Sequence, residues 1–407
     1  MNILFLTLLE IKSINDRNIY TDLLRELRKK DHNIYVISPY ERRLNKSTEC
    51  INEEGINFLK VKIGNIQKIN TIEKVISTLL IEHQYLRGIE RYFKNIKFDL
   101  VIYSTPPITF YNVIRYIKER DNAKLYLLLK DIFPQNAVDL GMFSNRGLIY
   151  NFFRKKEINL YKISDYIGCM SQANVDFILK HNEYLYKDKV EICPNSIEPL
   201  CLQKNEENLK SIRIKYKIPL DKTVFIYGGN LGKPQGIDFV IECLKSNIDN
   251  EKVFFIIVGS GTECYKLHNF IKINKPGNIK LFSQLPKKDY DMLVNACDVG
   301  LIFLDKRFTI PNFPSRMLSY MEASMPVLAA TDINSDIGQV VENGEFGLWC
   351  ESGNIESFND KLYALHDKDL RLKMGKNSRK YLEKNYTSEH SYKIIMGHFK
   401  KVEEENV

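Results

Sequence analysis

Two serines, an arginine and a glutamate, at positions 315, 319, 316 and 322, stand in the stretch DKRFTIPNFPSRMLSYMEASMPVLAAT, residues 305–331. Their spacing fits one helix: at about 100° per residue Ser315, Ser319 and Glu322 share a face, while Met317, Leu318, Met321 and Met325 gather opposite. Pro311 and Pro314 hold the preceding backbone out of the α region and Ser315 is a good N-cap, so the helix is expected to begin abruptly there with its first amides unpaired. Such an end attracts anions, and Arg316 adds a fixed positive charge beside it. A hydroxyl and a carboxylate just below suit a phosphate that carries a polyhydroxyl group, such as a nucleotide ribose. The plainer alternative is that Ser315 only caps, Arg316 is solvated and Glu322 is an exposed helix residue.

The elements that must position these residues are buried strands alternating with helices. In the second half strands are expected at 223–227, 252–258, 279–283, 298–304 and 326–330, and the loops after them carry further signals. After Tyr227 comes GGNLGKPQG, in which Gly228, Gly229, Gly232 and Gly236 allow close backbone approach to a ligand, with Asn230 between them and Lys233 supplying charge. GSGTE, opening at Gly259, follows the next strand, and Gln284-Leu285-Pro286 the one after. Each loop alone is ordinary; four on one sheet edge point to a binding site.

The first half follows the same logic, with strands expected at 2–7, 33–38, 57–61, 99–104, 124–129, 165–170 and 190–193 and helices at 20–30, 72–94 and 148–163. Alternation of this kind implies mostly parallel sheets covered on both faces. A chain of 407 residues is too long for one ordinary core, so the fold class expected is α/β, with two doubly wound Rossmann-like domains facing a cleft. The first is placed at 1–195 and the second at 196–387, with a last helix at 388–403 returning to the first. Composition, 44% hydrophobic and 27% charged, is that of a soluble globular protein. Eight scattered cysteines without a C-x-x-C pair and seven histidines without H-E-x-x-H indicate neither a zinc site nor a disulfide framework. The Asp-x-Asp matches at Asp289/Asp291 and Asp367/Asp369 read as helix-start and solvated charges. The apolar start MNILFLTLLEIKS is too short to span a bilayer and lacks a signal-peptide cleavage pattern. The net charge of +8 is partly concentrated in Arg25, Arg28, Lys29, Lys30, Arg42, Arg43 and Lys46, which a solvated face or an anionic surface would explain.

In order along the chain, GGNLGKPQGID, FFIIVGSGTE, DYDMLVNACDVGLIFL and FPSRMLSYMEASMPVLAATD resemble the retaining, nucleotide-sugar-dependent glycosyltransferases of family four, whose fold is GT-B. ICPNSIE, around Pro194 and Asn195, is similar to that family's Pro-Asn-Gly segment at the domain junction. LLLKDIFPQNAVDLGMF resembles the Asp-x-x-Pro stretch of members that build capsule and O-antigen polysaccharides. This chain departs from the family at several positions. The Glu-x7-Glu pair falls at Pro311 and Ser319, the loop Arg and Lys at Asn230 and Gln235, and the N-terminal Gly-Gly loop at residues 14–18, INDRN. The catalytic-domain His corresponds to Lys130, next to Asp131.

The resemblance implies transfer of a sugar, an N-acetylhexosamine or a related one, from a nucleoside diphosphate, UDP-linked, to a lipid-linked or saccharide acceptor at the cytoplasmic membrane face. It implies retained anomeric configuration, no cofactor, no metal and no nucleic-acid partner. Without a metal, cations and amides must stabilise the departing pyrophosphate, a role that falls to Lys233, Arg316 and the start of the 315 helix, with Glu322 on the ribose. The acceptor is expected across Asp16, Arg17, Lys130 and Asp131, the protein being cytoplasmic or peripheral on the membrane, which the basic helix at 20–30 could approach. Loss of both glutamates motivates a second reading, a catalytically silent nucleotide-sugar-binding partner of another transferase. A GT-B sugar epimerase is a third reading.

Overall fold

The computed structural model describes residues 1–66, 71–200 and 205–404. The chain divides into two compact units, one of residues 1–198 with the last helix from Ser388, the other of residues 199–387.

The first unit holds eight strands among the described residues: β1 Asn2–Leu6, β2 Asn33–Glu41, β3 Glu49–Glu53, β4 Ile56–Ile63, β5 Leu100–Ser104, β6 Lys124–Leu129, β7 Tyr166–Cys169 and β8 Val190–Ile192. They lie in the order β3-β4-β2-β1-β5-β6-β7-β8, all parallel except for β3 on β4. Central β1 has helices on both faces, so Ile3, Leu4, Phe5 and Leu6 are all buried and the strand reads as a continuous apolar run. β3 was not expected, because ECINE has no apolar alternation and runs exposed along the sheet edge. A two-residue turn makes it: Glu54 and Gly55 both have positive φ, 51° and 80°, the backbone a type I′ hairpin needs.

The helix Ile19–Lys29 starts at Asn18, whose side-chain oxygen accepts from the amides of Tyr20 and Thr21 while the Thr21 hydroxyl accepts from the Asn18 amide. The last helix, Ser388–Glu404, sends Ile395 and Met396 into this unit's core and stacks His398 on Tyr166 at 3.7 Å. The unit ends at Glu198, three residues beyond the expected junction. Glu198 donates its amide to buried Asp22 at 2.8 Å and takes Arg25 and Lys29 on its carboxylate. Two of the cations in the basic cluster are thereby engaged, and Arg42 and Arg43 pair with Glu73 and Glu41.

The second unit holds six parallel strands among the described residues: β9 Thr223–Asn230, β10 Val253–Ser260, β11 Ile279–Phe282, β12 Val299–Phe303, β13 Val327–Thr331 and β14 Gly347–Glu351. Their order is β11-β10-β9-β12-β13-β14, a doubly wound sheet whose winding reverses between β9 and β12. β14 escaped the sequence reading, being a half-buried edge strand with one glycine and one Trp in five residues. Of the Asp-x-Asp matches, Asp367 caps the helix Lys368–Asn385 and Asp291 takes Lys287 one turn back in its own helix. The seven cysteines among the described residues are all free; Cys201 lies outside them.

At the switch point β9 and β12 pair only through Phe225 with Val299 and Ile226 with Gly300. Where the two strands part, the Tyr320 hydroxyl spans the gap, accepting from the Gly228 amide at 3.3 Å and facing the Ile226 and Leu301 carbonyls at 3.2 and 3.1 Å. The Tyr320 ring lies against Gly300, where an added Cβ would stand 2.3 Å from ring carbons. Gly300→Ala should therefore displace the ring and cost about 1–3 kcal/mol, the usual penalty of overpacking, seen as a lower midpoint in urea unfolding. An unchanged midpoint would mean that the ring is free to move.

Candidate functional site

A cavity of about 440 Å³ opens at the carboxyl ends of β9, β10 and β11, lined by residues that include Gly228, Gly229, Asn230, Gly259, Ser260, Gln284, Leu285, Tyr290, Arg316 and Ser319. Its wall is made of backbone where the glycines stand. β9 and β10 stay paired to their last residues, Gly229 opposite Gly259 and Asn230 opposite Ser260, because a side chain at 259 would meet the Gly229 carbonyl at 1.9 Å. Gly229 has φ 138°, open to glycine alone, and a Cβ there would stand 3.2 Å from Nη2 of Arg316.

Arg316 is the cavity's only cation among the described lining residues, and its surroundings are aromatic. Its guanidinium carbon sits 4.4 Å from the centre of the Tyr227 ring, and the Tyr290 and Tyr320 phenols are its other electrostatic neighbours. Nη1 is buried without a hydrogen-bond partner, and among the described residues no carboxylate pairs with Arg316. A cation so placed lacks its counter-charge until an anion enters the cavity. Ser319 brings a hydroxyl to the same wall, and no carboxylate lines it among the described residues.

Residues 209–381 match the family model of glycosyl transferases group 1. Over these residues the chain is similar to the group 1 glycosyl transferases. The chain is 23% identical over 290 residues, 71% of each sequence, to WbjE of Pseudomonas aeruginosa, named as a glycosyltransferase. It is 23% identical over 140 residues, 34% of this chain and 33% of the relative, to Escherichia coli K12 WcaI, named as a colanic acid biosynthesis glycosyl transferase. Among solved structures, Anabaena Alr3699/HepE in complex with UDP superposes with a TM-score of 0.71 at 15% identity, covering 98% of this chain and 100% of that one. The fold is GT-B.

Within the stretch that matches the family model the structure gathers Gly229, Asn230, Gly259, Gln284, Leu285, Arg316 and Ser319 at the cavity and leaves other expected residues outside its lining. Gly232 is buried, donating its amide to Gln235, and Lys233 is exposed at the start of a 3-10 turn. Pro314 and Ser315 precede the helix without capping it: Ser315 is itself in the α region and its side chain makes no cap bond. The helix, Arg316–Glu322, is only seven residues long, so the abrupt amide-bearing end expected from the sequence is replaced by a single side chain, Arg316. Glu322 is corrected most. Rather than face a ribose it is buried, its Oε1 accepting the Leu200 amide at 2.9 Å. The aromatic residues of the site, Tyr227, Tyr290 and Tyr320, were not singled out from the sequence. Their one signal is adjacency, Tyr227 to the glycines and Tyr320 to Ser319.

In the first unit Lys130 and Asp131 directly follow β6. The Thr105 hydroxyl accepts from both their amides, at 3.0 and 3.2 Å. No ion pair joins the two side chains. Asp131 instead receives the Asn136 amide group on both oxygens at 2.8 Å, while Lys130 lines a crevice of about 10 Å³ with Tyr20, Pro194, Asn195, Ser196 and Ser391. Asp16 and Arg17 do not reach that crevice: exposed Asp16 closes a turn on the Ser13 amide, and Arg17 donates to the Glu198 carbonyl at 2.8 Å. Burial pulls the Lys130 ammonium down to about 8 and pushes the Asp131 carboxyl up to about 6.

Two outcomes are expected. Glu322→Ala should lower unfolding stability by about 1–3 kcal/mol, the cost of stranding a buried amide, while leaving UDP affinity in titration calorimetry unchanged. The reverse pattern would return Glu322 to the donor site. For Lys130 the depressed pKa means that the folded state disfavours the proton. Relative to Lys130→Met the parent should lose stability as pH falls from the ordinary lysine range to about 8, with a constant gap below. Denaturation curves of both proteins that ran parallel across this window would overturn the assignment.

Proposed function

We propose that the protein transfers a sugar from a nucleoside diphosphate, UDP-linked and carrying an N-acetylhexosamine or related sugar, to a lipid-linked or saccharide acceptor in surface polysaccharide assembly, with retained anomeric configuration. The observation that carries this is the Arg316 guanidinium, buried at Nη1 and without a carboxylate, in a glycine-walled cavity at the carboxyl ends of β9–β11. The similarity to group 1 glycosyl transferases, the UDP complex of a structural neighbour and the colanic acid relative support the donor and the pathway class.

In the proposed reaction the bond between the anomeric carbon and the β-phosphate oxygen breaks, and negative charge gathers on the departing diphosphate. Arg316 meets that charge with a group that stays protonated and is oriented before the substrate arrives, which is where a preorganised cation lowers the barrier most. Gly228, Gly229 and Gly259 let the phosphates approach main chain that larger residues would cover. With no carboxylate on the cavity wall among the described residues, the ribose hydroxyls fall to Ser319 and to backbone groups. In the first unit Asp131, ionised above about pH 6, is the proposed proton acceptor from the attacking hydroxyl, and Lys130 the cation that orients the acceptor. The chemistry runs without a metal in this reading. The same lack of a wall carboxylate favours one second reading, a nucleotide-sugar-binding partner that does not itself turn over.

Titration calorimetry with Arg316→Ala tests the donor site. UDP binding should weaken by about 1.5–3 kcal/mol, the value of a charge-assisted hydrogen bond, with uridine affected little. Equal loss for UDP and uridine would remove Arg316 from the phosphates. Turnover of UDP-N-acetylhexosamine by the parent on a lipid-linked saccharide in EDTA separates transferase from silent partner. Turnover that appears only on adding Mg²⁺ would refute metal independence.

A further inference from the structure

The first unit carries a surface that neither the donor cavity nor the Lys130 crevice uses. Ahead of and along the start of the helix Leu148–Ile163, four large apolar side chains stand out in solvent: Met142 is 65% exposed, Leu148 88%, Ile149 57% and Phe152 45%. Leu148, Ile149 and Phe152 share one side of the first turns of that helix, being one and four residues apart. Scattered exposed apolar residues are normal, but four within eleven positions form a patch.

The charges within the segment that carries the patch have one sign. Residues 142–156, MFSNRGLIYNFFRKK, include Arg146, Arg154, Lys155 and Lys156 and not one aspartate or glutamate. Arg154 is occupied by Glu157 and Asn182. Arg146 and Lys155 are exposed, and the Lys156 ammonium lies 6.0 Å from the Phe152 ring centre, at the border between the apolar and the basic parts. Beneath, the rings continue inward: Phe152 to Phe153 at 5.3 Å, Phe153 to Phe133 at 4.9 Å, and Phe133 to Phe143 at 6.3 Å. Phe133 is two residues from Asp131, so the patch is rooted in the same turn as the proposed acceptor residues.

We infer that this face, Met142, Leu148, Ile149 and Phe152 ringed by Arg146, Lys155 and Lys156, docks the protein on an anionic lipid bilayer. Charge complementarity decides the occupant. A second copy of the chain, meeting the patch about a twofold axis, would set these cations against their own images with no acid in residues 142–156 to answer them. A bilayer with acidic headgroups offers phosphate to the cations and hydrocarbon to the four apolar side chains at once. Among the described residues no helix is long and apolar enough to cross a membrane, so the mode is contact with the surface. The inference gives the lipid-linked acceptor reading its physical surface and rests on that reading for its purpose, while its test needs no sugar transfer.

The full chain is sedimented with vesicles of phosphatidylcholine containing phosphatidylglycerol, and with vesicles of phosphatidylcholine alone. The parent should pellet with the anionic vesicles and be released by salt. Leu148→Ser/Ile149→Ser/Phe152→Ser should lower the partition coefficient roughly tenfold or more, and Arg146→Ser/Lys155→Ser should lower it about fivefold for each cation removed. Both variants replace exposed side chains, so their melting temperatures and UDP affinities should match the parent's. A parent that stays in the supernatant, or a triple variant that binds as the parent does, overturns the inference. So does a parent that is dimeric in sedimentation velocity and made monomeric by the triple substitution, which would assign the patch to self-association. Vesicle binding by a parent that fails to bind UDP would keep this surface and sink the donor-site reading instead.

Discussion

Everything at the cavity of the second unit depends on how the second sheet opens between β9 and β12. Two parallel strands that part after two paired residues leave amides and carbonyls facing a gap, and buried main-chain groups must find partners. Tyr320 meets that need with one hydroxyl placed among the Ile226 and Leu301 carbonyls and the Gly228 amide. Its ring must then lie on β12, which requires Gly300 beneath it. Gly228 is constrained the same way from the other side, since a Cβ there would stand 2.0 Å from the Tyr290 hydroxyl. Three phenols and their glycines thus fix the mouth of the switch point, and Arg316, one turn before Tyr320, is carried into it.

That arrangement bears on energy as well as shape. A guanidinium taken partly out of water usually recovers its solvation from a carboxylate, and here aromatic faces and a glycine backbone stand in that place. The ring quadrupoles offset only part of the loss, and the unpartnered Nη1 shows where the remainder lies. A carboxylate on the wall would have neutralised Arg316 within the protein and weakened its attraction for any entering anion. Glu322, six residues on in the same helix, is kept from doing so by its bond to the Leu200 amide.

The sequence disclosed the frame better than the fit. Buried strands announce themselves as apolar runs between turn residues, and β6 and the helix Leu148–Ile163 begin and end where the pattern puts them. The segments at the ends of β9 and β10 stood out in the sequence because glycine there allows close backbone approach, and Gln284-Leu285-Pro286 after β11 by its place on the same sheet edge. Glu322 was misplaced for a definite reason. Helical periodicity tells which residues share a side, but not how many sides are covered. The helix Arg316–Glu322 has the segment at Leu200 and the helix Lys368–Asn385 on the face that looked polar, with Arg379 reaching both the Leu200 and Glu322 carbonyls. The glycines of β9 misled in a milder way. Read as loop, Gly228, Gly229 and Asn230 continue the strand, because glycine facing glycine across β10 removes the side chains that would otherwise end the pairing.

The two units handle buried charge by opposite means, and the contrast explains why one site was easier to recognise than the other. Arg316 keeps its proton in any surroundings a protein can offer, so burying it creates a standing demand for an anion. Lys130 and Asp131 can answer burial by shifting their protonation, and both are moved toward neutrality, to about 8 and about 6. Between those values each still carries its charge but holds it weakly, the state in which a side chain can give or take a proton when a neighbour changes. Asn136 and Thr105 keep the pair from relaxing by other means: the Asn136 amide holds the carboxylate in place, and the Thr105 hydroxyl fixes both amides at the strand end. A fixed cation announces itself in sequence as an arginine near a helix start. A tuned lysine and aspartate are marked only by the resemblance of their stretch, because their tuning comes from burial that only the folded chain supplies.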